Sequence, residues 1–360
     1  MPQPQMLQAH QFTAIYARYD AIGQHTLGLR NLMIDMGWEV TTFAQQSYQD
    51  TDITVLNYQT HAEHPDPDIA IYHLSTTSAV SDYLLELKTP LVLNYHNITP
   101  GMFFAGWDTN LANDLERARH ILRSLAHTAT AGIADSEYNA AELMEHGIGK
   151  IHIVPPLYAT PIANTPSSPN NTTTLDSTPK LLFVGRLAPN KCIEALLGCC
   201  AMLKTKWPEV SLTLIGNPMI PRYTKALENY TQELAITANV RFLGTVSTQI
   251  RNTEYAAANV YVSASKHEGF CVPLLEAMQM GLPIVAHAAA AVPETVQDAG
   301  VLLKTNDALC LASAVQRVCV DTGLRAELIA KGHARAKQFN STQTQQRMIQ
   351  ALHKIAAQVA

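Results

Sequence analysis

The chain lacks any long apolar stretch. No uninterrupted apolar run in its 360 residues reaches the roughly 20 residues that a membrane-spanning helix needs, so we expect no such helix. The first residues, MPQPQMLQAHQ, contain neither a positively charged segment nor an apolar one. We therefore expect no secretory signal and a cytoplasmic protein.

The chain is also poor in cysteine and has no excess of positive charge. Its six cysteines form no CxxC pair and no metal-ligand spacing, and cytosolic thiols stay reduced. A net charge of -5 provides no general attraction to nucleic acid. No acidic pair is positioned to hold Mg²⁺. We therefore expect no metal ion, no cofactor and no nucleic-acid partner.

What the chain does contain is a regular alternation of strand and helix patterns. Its hydrophobic share of 47% is enough for sizeable cores. Alternation of this kind predicts an α/β protein with parallel sheets. We expect a Rossmann-like domain over 1–155, a linker rich in Pro, Ser, Thr and Asn over 156–179, and a second Rossmann-like domain over 180–338. A final helix is expected within 339–360.

The most informative stretch is SASKHEGFCVPLLEAMQMGLP, Ser263 to Pro283. The apolar run from Val260 to Ala264 predicts a buried strand, which a loop connects to a helix of about two turns that opens near Pro273. Glu268 is then placed just before the helix and Glu276 on its first turn. Both carboxylates suit sugar hydroxyls, because an ionised carboxylate only accepts hydrogen bonds.

The start of that helix is suited to phosphate. A helix N-terminus offers N–H groups and the positive end of a dipole. Gly269 lets a ligand approach the backbone of the next residues, Phe270, Cys271 and Val272. Phosphate in the middle and hydroxyls at both ends describe a nucleotide-sugar.

A second motif supplies positive charge. The predicted strand Lys180–Val184 runs into Gly185, after which Arg186 and Lys191 flank a short loop before a helix. Two cations in this arrangement can neutralise a diphosphate.

These residues carry a resemblance to a known family. The E-x7-E pair within HEGFCVPLLEAM and the G-R-L-x3-K motif that ends at Lys191 are similar to the donor motifs of the retaining glycosyltransferases of family 4. The resemblance spans nearly the whole chain and is strongest from Gly185 to Gly300. It implies the GT-B fold, which has two Rossmann-like parallel-sheet domains, a donor and acceptor cleft between them, and a last helix that crosses back to the first domain.

The resemblance also implies roles in the second domain. Glu268 lies beside the transferred sugar, and Glu276 binds the ribose. Arg186 and Lys191 bind the phosphates and stabilise the leaving group. Where the family often has glycine after the lysine this chain has Cys192, which puts the geometry of that turn in question. The implied donor-binding set is Gly23, Gly185, Arg186, Lys191, Gly216, Leu243, Glu268, Gly269, Phe270, Cys271, Val272 and Glu276.

Two segments of the first domain resemble the family as well. Asp20-Ala21-Ile22-Gly23 before a helix is similar to its first loop, and YHNITP followed by FFAGW is similar to one of its subgroups. In the family a histidine at this strand end, here His96, lies near the transferred sugar. The implied catalytic set is His96, Glu268, Arg186 and Lys191, and the acceptor-binding set is Asp20, His96, Asn97 and Phe103.

The implied activity is transfer of a hexosyl unit from a nucleoside-diphosphate sugar to a carbohydrate or lipid-linked acceptor, with retention and without a metal. Family members often work at the inner membrane face, so peripheral membrane contact is a further expectation. Other GT-B enzymes, such as a nucleotide-sugar epimerase or a phosphorylase, and a non-catalytic sugar-nucleotide-binding subunit are the alternatives. Nothing in the sequence indicates the sugar, the base, the acceptor or the oligomeric state.

Overall fold

The computed structural model of this chain describes residues 6–17, 20–48, 53–157 and 178–359. The chain divides into two compact units. The first contains residues 1–102, 110–160 and 339–360, and the second contains residues 103–109 and 161–338. Most of the predicted linker lies outside the described residues.

The first unit is built on a parallel sheet of seven strands, in the order β3-β2-β1-β4-β5-β6-β7. The central strand β4, with the sequence IAIYHL, is buried along its whole length, as expected for a parallel sheet covered on both faces. The strands are β1 (Gln8–Tyr16), β2 (Glu39–Ser47), β3 (Val55–Asn57), β4 (Ile69–Leu74), β5 (Leu91–Tyr95), β6 (Ala129–Ala134) and β7 (Ile151–Ile153).

The helices of the first unit include the last helix of the chain. Met348, Ala351, Leu352 and Ile355 follow the i, i+3, i+4, i+7 spacing of one helix face, and all four belong to the core that also contains Leu29 of the first helix. The described helices are α1 (Ala21–Asp35), α2 (Ala79–Glu86), α3 (Thr109–Thr128), α4 (Glu137–Glu145) and α12 (Ser341–Val359).

The second unit has a parallel sheet of six strands, in the order β10-β9-β8-β11-β12-β13. The chain goes from β8 to one side and then returns to β11 on the other side, so the strand order reverses between β8 and β11. The strands are β8 (Lys180–Val184), β9 (Ser211–Ile215), β10 (Val240–Gly244), β11 (Val260–Ser263), β12 (Ile284–His287) and β13 (Gly300–Leu303).

The helices of the second unit connect these strands or follow the sheet. They are α5 (Ile193–Lys204), α6 (Pro221–Glu233), α7 (Thr248–Ala257), α8 (Val272–Gln279), α9 (Val292–Val296), α10 (Ala308–Val320) and α11 (Thr322–Lys337). The predicted pair of Rossmann-like parallel-sheet domains is therefore confirmed. Among the described residues, no helix has both the length and the apolar character needed to cross a membrane.

Candidate active site

The second sheet places two loops side by side at its strand-order reversal. In open parallel sheets ligands bind beyond the carboxyl ends of the strands, at the point where the order reverses. That point lies between β8 and β11, which are hydrogen-bonded neighbours. The loop after β8 carries Arg186 and Lys191, and the loop after β11 carries Glu268.

An ion pair joins these loops. The Lys191 Nζ lies 2.7 Å from Glu268 Oε1, and the two side chains are only 14% and 11% exposed. Asn190 fixes the same two loops, because its carbonyl accepts from the backbone N–H of Lys266 at 2.8 Å and its amide donates to the carbonyl of His267 at 3.3 Å. Residues 77 positions apart in the sequence thus form one charged centre.

The backbones at the ends of β8 and β9 approach each other closely. Gly216 has φ +146°, and a Cβ there would lie 1.9 Å from the carbonyl oxygen of Gly185. Only glycine allows the ends of β8 and β9 to approach so closely. Arg186 directly follows Gly185 and is exposed. Leu243, the predicted neighbour of the base, is half-buried near the end of β10.

Two helices begin at this edge with a cysteine in the left-handed conformation. Cys192 precedes α5 with φ 50°, and Cys271 precedes α8 with φ 69°. Neither residue caps its helix through the side chain. A left-handed residue other than glycine is strained, so Cys192 adopts this turn at an energetic cost. α5 follows the loop that bears Lys191 and α8 follows the loop that bears Glu268, and the first N–H groups of a helix have no partner within the helix.

The second predicted carboxylate, Glu276, lies inside the unit. It is 5% exposed and is the fifth residue of α8, hence on the second turn rather than the predicted first, because the helix begins at Val272. The Tyr255 hydroxyl donates to its Oε2 at 2.8 Å, and Arg251 Nη2 lies 3.2 Å from Oε1. Burial raises the pKa of Glu276, an effect that Arg251 opposes. A carboxylate has about four lone-pair sites, of which Tyr255 and Arg251 occupy two.

In the first unit, Asp20 and Gly23 form a helix start. Asp20 Oδ1 accepts from the backbone N–H of Gly23 at 2.6 Å and caps α1. A Cβ on Gly23 would lie 1.8 Å from the carbonyl oxygen of Ala17, so the turn requires glycine. Both residues lie beyond the carboxyl end of β1, and their predicted ligand contacts stay predictions.

His96 follows β5 and sits in a group of buried polar side chains. Its Nδ1 lies 3.0 Å from Asp135 Oδ2, and its Nε2 lies 3.1 Å from His73 Nδ1. His73 Nε2 in turn lies 2.9 Å from Gln11 Oε1. Ser136 caps α4, whereas the neighbouring Asp135 pairs with His96.

Three histidines of this region lie close enough to be considered as metal ligands. Nitrogen atoms of His25, His73 and His96 lie within 4.8 Å of one another. The backbone N–H of Leu157 donates to His25 Nδ1 at 2.7 Å, so a neutral His25 carries its proton on Nε2. That nitrogen is also engaged, since the Asn94 side-chain amide lies 2.7 Å from it, and with partners on both ring nitrogens His25 does not fit a three-histidine metal site.

The remaining predicted residues lie on the segment after β5. Asn97 has φ 72°, is 8% exposed, and donates from its amide to Asn139 Oδ1 at 2.7 Å. Phe103 belongs to the second unit, where its ring lies 6.2 Å from that of His267, the neighbour of Glu268. The structure therefore shows a side-chain contact within the protein for each of these two predicted acceptor residues.

The sequence was compared with protein-family models and with known proteins. Residues 166–335 match the family model of the glycosyl transferases group 1. In sequence, the chain is 31% identical to the O-antigen chain mannosyltransferase B of Escherichia coli over 164 residues, which cover 44% of this chain and 42% of that protein. It is 32% identical to the D-inositol 3-phosphate glycosyltransferase of Salinispora arenicola over 171 residues, 45% and 38% of the two chains. These alignments thus span about two fifths of each relative.

Solved glycosyltransferase structures resemble the chain over nearly its whole length. Sucrose-phosphate synthase from Thermosynechococcus elongatus has a TM-score of 0.78 at 19% identity, covering 97% of this chain and 99% of that one. Anabaena HepE in complex with UDP-glucose has a TM-score of 0.76 at 19% identity, covering 97% and 100%. At this identity the similarity concerns the fold, which is GT-B.

Sequence reasoning missed the partners of the predicted site residues. The helix α7, which supplies Arg251 and Tyr255 to Glu276, was not predicted; its one clear signal is Ser247, whose side chain caps it. His73 and Gln11 lie inside strands, where a polar residue in an apolar run was the available signal. These residues come together only through the order of the strands.

Proposed function

We propose that this chain is a retaining, metal-independent glycosyltransferase of family 4, which transfers a hexosyl unit from a nucleoside-diphosphate sugar to a carbohydrate or lipid-linked acceptor. The observation that carries the proposal is the contact between Lys191 and Glu268 at the strand-order reversal. It unites a cation suited to phosphate with a carboxylate suited to sugar hydroxyls.

The proposed donor lies along this edge in a defined direction. The diphosphate meets Arg186, Lys191 and the first N–H groups of α8, where charge develops as the glycosidic bond breaks. The ribose diol donates to the carboxylate of Glu276, and the sugar hydroxyls donate to Glu268. Because Glu268 is already paired with Lys191, it orients the sugar and need not act as a nucleophile.

The proposed reaction needs no covalent intermediate. The bond between the sugar carbon C1 and the phosphate oxygen breaks, and an acceptor hydroxyl attacks C1 from the same face. Its proton passes to the departing phosphate, whose negative charge the cations stabilise. His96, Asp20, Asn97 and Phe103 are proposed on the acceptor side, and Gly23 beside the donor phosphates.

The names of the relatives support a hexose and a nucleotide-sugar donor, but they do not identify which hexose or which nucleotide. One is named as a mannosyltransferase, and HepE was crystallised with UDP-glucose. We extend this to a cytoplasmic enzyme with peripheral contact at the inner membrane face. The division into 1–155, 156–179, 180–338 and 339–360 is the proposed domain organisation.

The first experiment is a thermal-shift screen with UDP, GDP and ADP and with their sugars. A ligand that binds only the folded protein raises the melting temperature; at 100 times its Kd the stabilisation is about 2.7 kcal/mol. The donor that responds is then tested for sugar transfer, with the anomeric configuration of the product read by NMR. Turnover that needs an added divalent ion after EDTA treatment, or an inverted product, contradicts the proposal.

The same screen separates the alternatives. An epimerase converts the bound sugar without an acceptor, and a phosphorylase releases sugar phosphate from a glycan when inorganic phosphate is added. A non-catalytic subunit binds the donor and shows neither transfer nor these reactions. Each of these outcomes overturns glycosyl transfer.

A further inference from the structure

The loop that carries Glu268 is held through its main-chain carbonyl groups. The carbonyl of Glu268 accepts from the backbone N–H of Ala291 at 3.2 Å. The carbonyl of Phe270 accepts from the hydroxyl of Thr295 at 2.7 Å, and Thr295 is 1% exposed. Ala291 and Thr295 are one helical turn apart, because the backbone N–H of Thr295 donates to the carbonyl of Ala291 at 3.0 Å. The first turn of α9 therefore holds two alternate residues of the loop.

The hydroxyl of Thr295 acts at the point where this loop enters α8. Phe270 is followed by Cys271, which precedes α8 in the left-handed conformation with φ 69°. A residue other than glycine is strained in this conformation, and the strain persists only where the surroundings impose it. The hydrogen bond from Thr295 fixes the residue directly before Cys271. It therefore fixes the start of α8 together with the end of the loop from which Glu268 contacts Lys191.

The short helix α9 is itself held by a side chain of α11. It has five residues, Val292–Val296, and helices this short are not stable on their own in water. The last carbonyl groups of a helix have no partner within it. Arg335 supplies a partner, since its Nη2 donates to the carbonyl of Glu294 at 2.7 Å and its Nε donates to the carbonyl of Thr295 at 3.1 Å. A planar guanidinium can hold both carbonyls at once, whereas a lysine ammonium lacks this fork.

We propose that Thr295 and Arg335 are positioning residues for the charged centre of the second unit. Thr295 fixes the loop that places Glu268 against Lys191, and Arg335 fixes the short helix that bears Thr295. The role is indirect, because both side chains act through main-chain carbonyl groups. Their expected effect on sugar transfer rests on the proposed function, whereas their effect on the loop does not.

The first experiment observes the loop without any substrate. Hydrogen–deuterium exchange, read by mass spectrometry on peptides that span 264–271 and 288–296, reports how often these segments open. Thr295→Val keeps the shape of the side chain and removes the hydroxyl, so both peptides should exchange faster, by up to about tenfold for one lost hydrogen bond. An exchange rate equal to that of the wild type overturns the proposal.

Thr231→Val is the matched control in the same unit. The hydroxyl of Thr231 donates to the carbonyl of Glu228 at 2.7 Å, and Thr231 is 3% exposed. The control therefore loses a hydrogen bond of the same kind at similar burial, on α6. It should lower the melting temperature about as much as Thr295→Val does, but leave the two peptides unchanged. Faster exchange of both peptides in the control as well would show a general loss of stability and overturn the proposal.

Kinetics distinguish a positioning role from a structural one. Thr295→Val should lower kcat by about tenfold to 100-fold, because a displacement of about 1 Å at the reacting groups can cost about 100-fold. Thr295→Ser keeps the hydroxyl and should retain most of the wild-type rate, and Thr231→Val should retain all of it. If Thr295→Ser is as slow as Thr295→Val, or if the control shows the same loss, the proposed role is wrong.

Arg335→Gln tests the second step of the argument. It should lower kcat and speed the exchange of 264–271, because α9 loses the side chain that holds its carbonyls. Lys331→Gln, one turn earlier on α11, is its matched control. Lys331 Nζ pairs with the exposed carboxylates of Asp298 and Glu327, so this variant also removes a cation from α11 but leaves the carbonyls of α9 held. The control should match the wild type in both measurements. An Arg335→Gln variant that also matches the wild type overturns the role of Arg335.

The double variant with Thr295→Val and Arg335→Gln tests whether the two residues act in series. Residues that act through one another are not additive, so the fold-loss in kcat should be smaller than the product of the two single losses. Losses that multiply contradict the proposed order. If Thr295→Val does not fold, the exchange of 264–271 in Arg335→Gln and Lys331→Gln still decides the matter. An absence of transfer by the wild type refutes the proposed function and leaves the exchange result standing.

Discussion

The ion pair between Lys191 and Glu268 leads to a counterintuitive expectation for Glu268→Gln. The substitution keeps the size of the side chain and an oxygen that can accept from Nζ, and it removes one negative charge. Breaking a buried pair costs about 3 to 5 kcal/mol. Because these side chains retain 14% and 11% exposure and Gln still accepts, we expect about 2 kcal/mol of destabilisation, or about 4 to 8 °C in melting temperature.

Binding should change in the opposite direction. The ammonium of Lys191 loses the negative charge of its internal partner and therefore attracts a diphosphate more strongly. At a partly solvated site the gain is about 1 kcal/mol, or about a fivefold lower Kd for the nucleoside diphosphate. Turnover should nevertheless fall by about 100-fold or more, because the contact to the sugar contributes most in the transition state.

The matched control is Glu276→Gln, the same chemical change in the same loop and helix. Glu276 is proposed to accept from the ribose, and a hydrogen bond to a charged group contributes about 1.5 to 3 kcal/mol, so nucleoside diphosphate should bind about tenfold to 100-fold more weakly. Calorimetric titration of both variants, beside their kinetics, measures the difference. If Glu268→Gln loses nucleotide affinity as strongly as Glu276→Gln does, or if neither variant changes anything, the assignment of sugar and ribose ends is wrong.

Three further expectations concern the same chain. Arg186→Ala and Lys191→Ala should each reduce kcat about 100-fold or more, and near-normal rates in both would remove the pair from the site. The pKa of His10 is lowered to about 4, chiefly by burial and by His61, so on acidification the unfolded chain binds a proton before the folded chain does. The free energy of unfolding should therefore fall by up to about 3 kcal/mol as the pH drops from about 6.5 towards 4. Acid titration of His10→Asn should show a shallower loss of stability. Cys192→Gly removes about 1 to 2 kcal/mol of strain from the left-handed backbone, but it also removes a buried thiol. Its melting temperature should therefore stay near that of the wild type. Cys192→Val should melt at a clearly lower temperature, because a branched side chain is more strained in this conformation.

Local features of this chain could be predicted from the sequence because they depend on neighbours along the chain. The apolar run of β8 was predicted with the observed bounds, Lys180–Val184. Continuous burial in a parallel strand leaves an unmistakable pattern of residues. The loop between β11 and α8, with Glu268 in it, was predicted from the same kind of signal, and only the helix start was off by a residue.

The tertiary structure decided which of these local features meet. Lys191 and Glu268 are 77 positions apart, and they form a pair because β8 and β11 are neighbours in the sheet. His73 and His96 are 23 positions apart and meet because β4 pairs with β5. A strand shows in the sequence which side chains it carries, but the order of strands depends on packing over the whole unit. The charge of a buried side chain is therefore set by partners that no local pattern identifies.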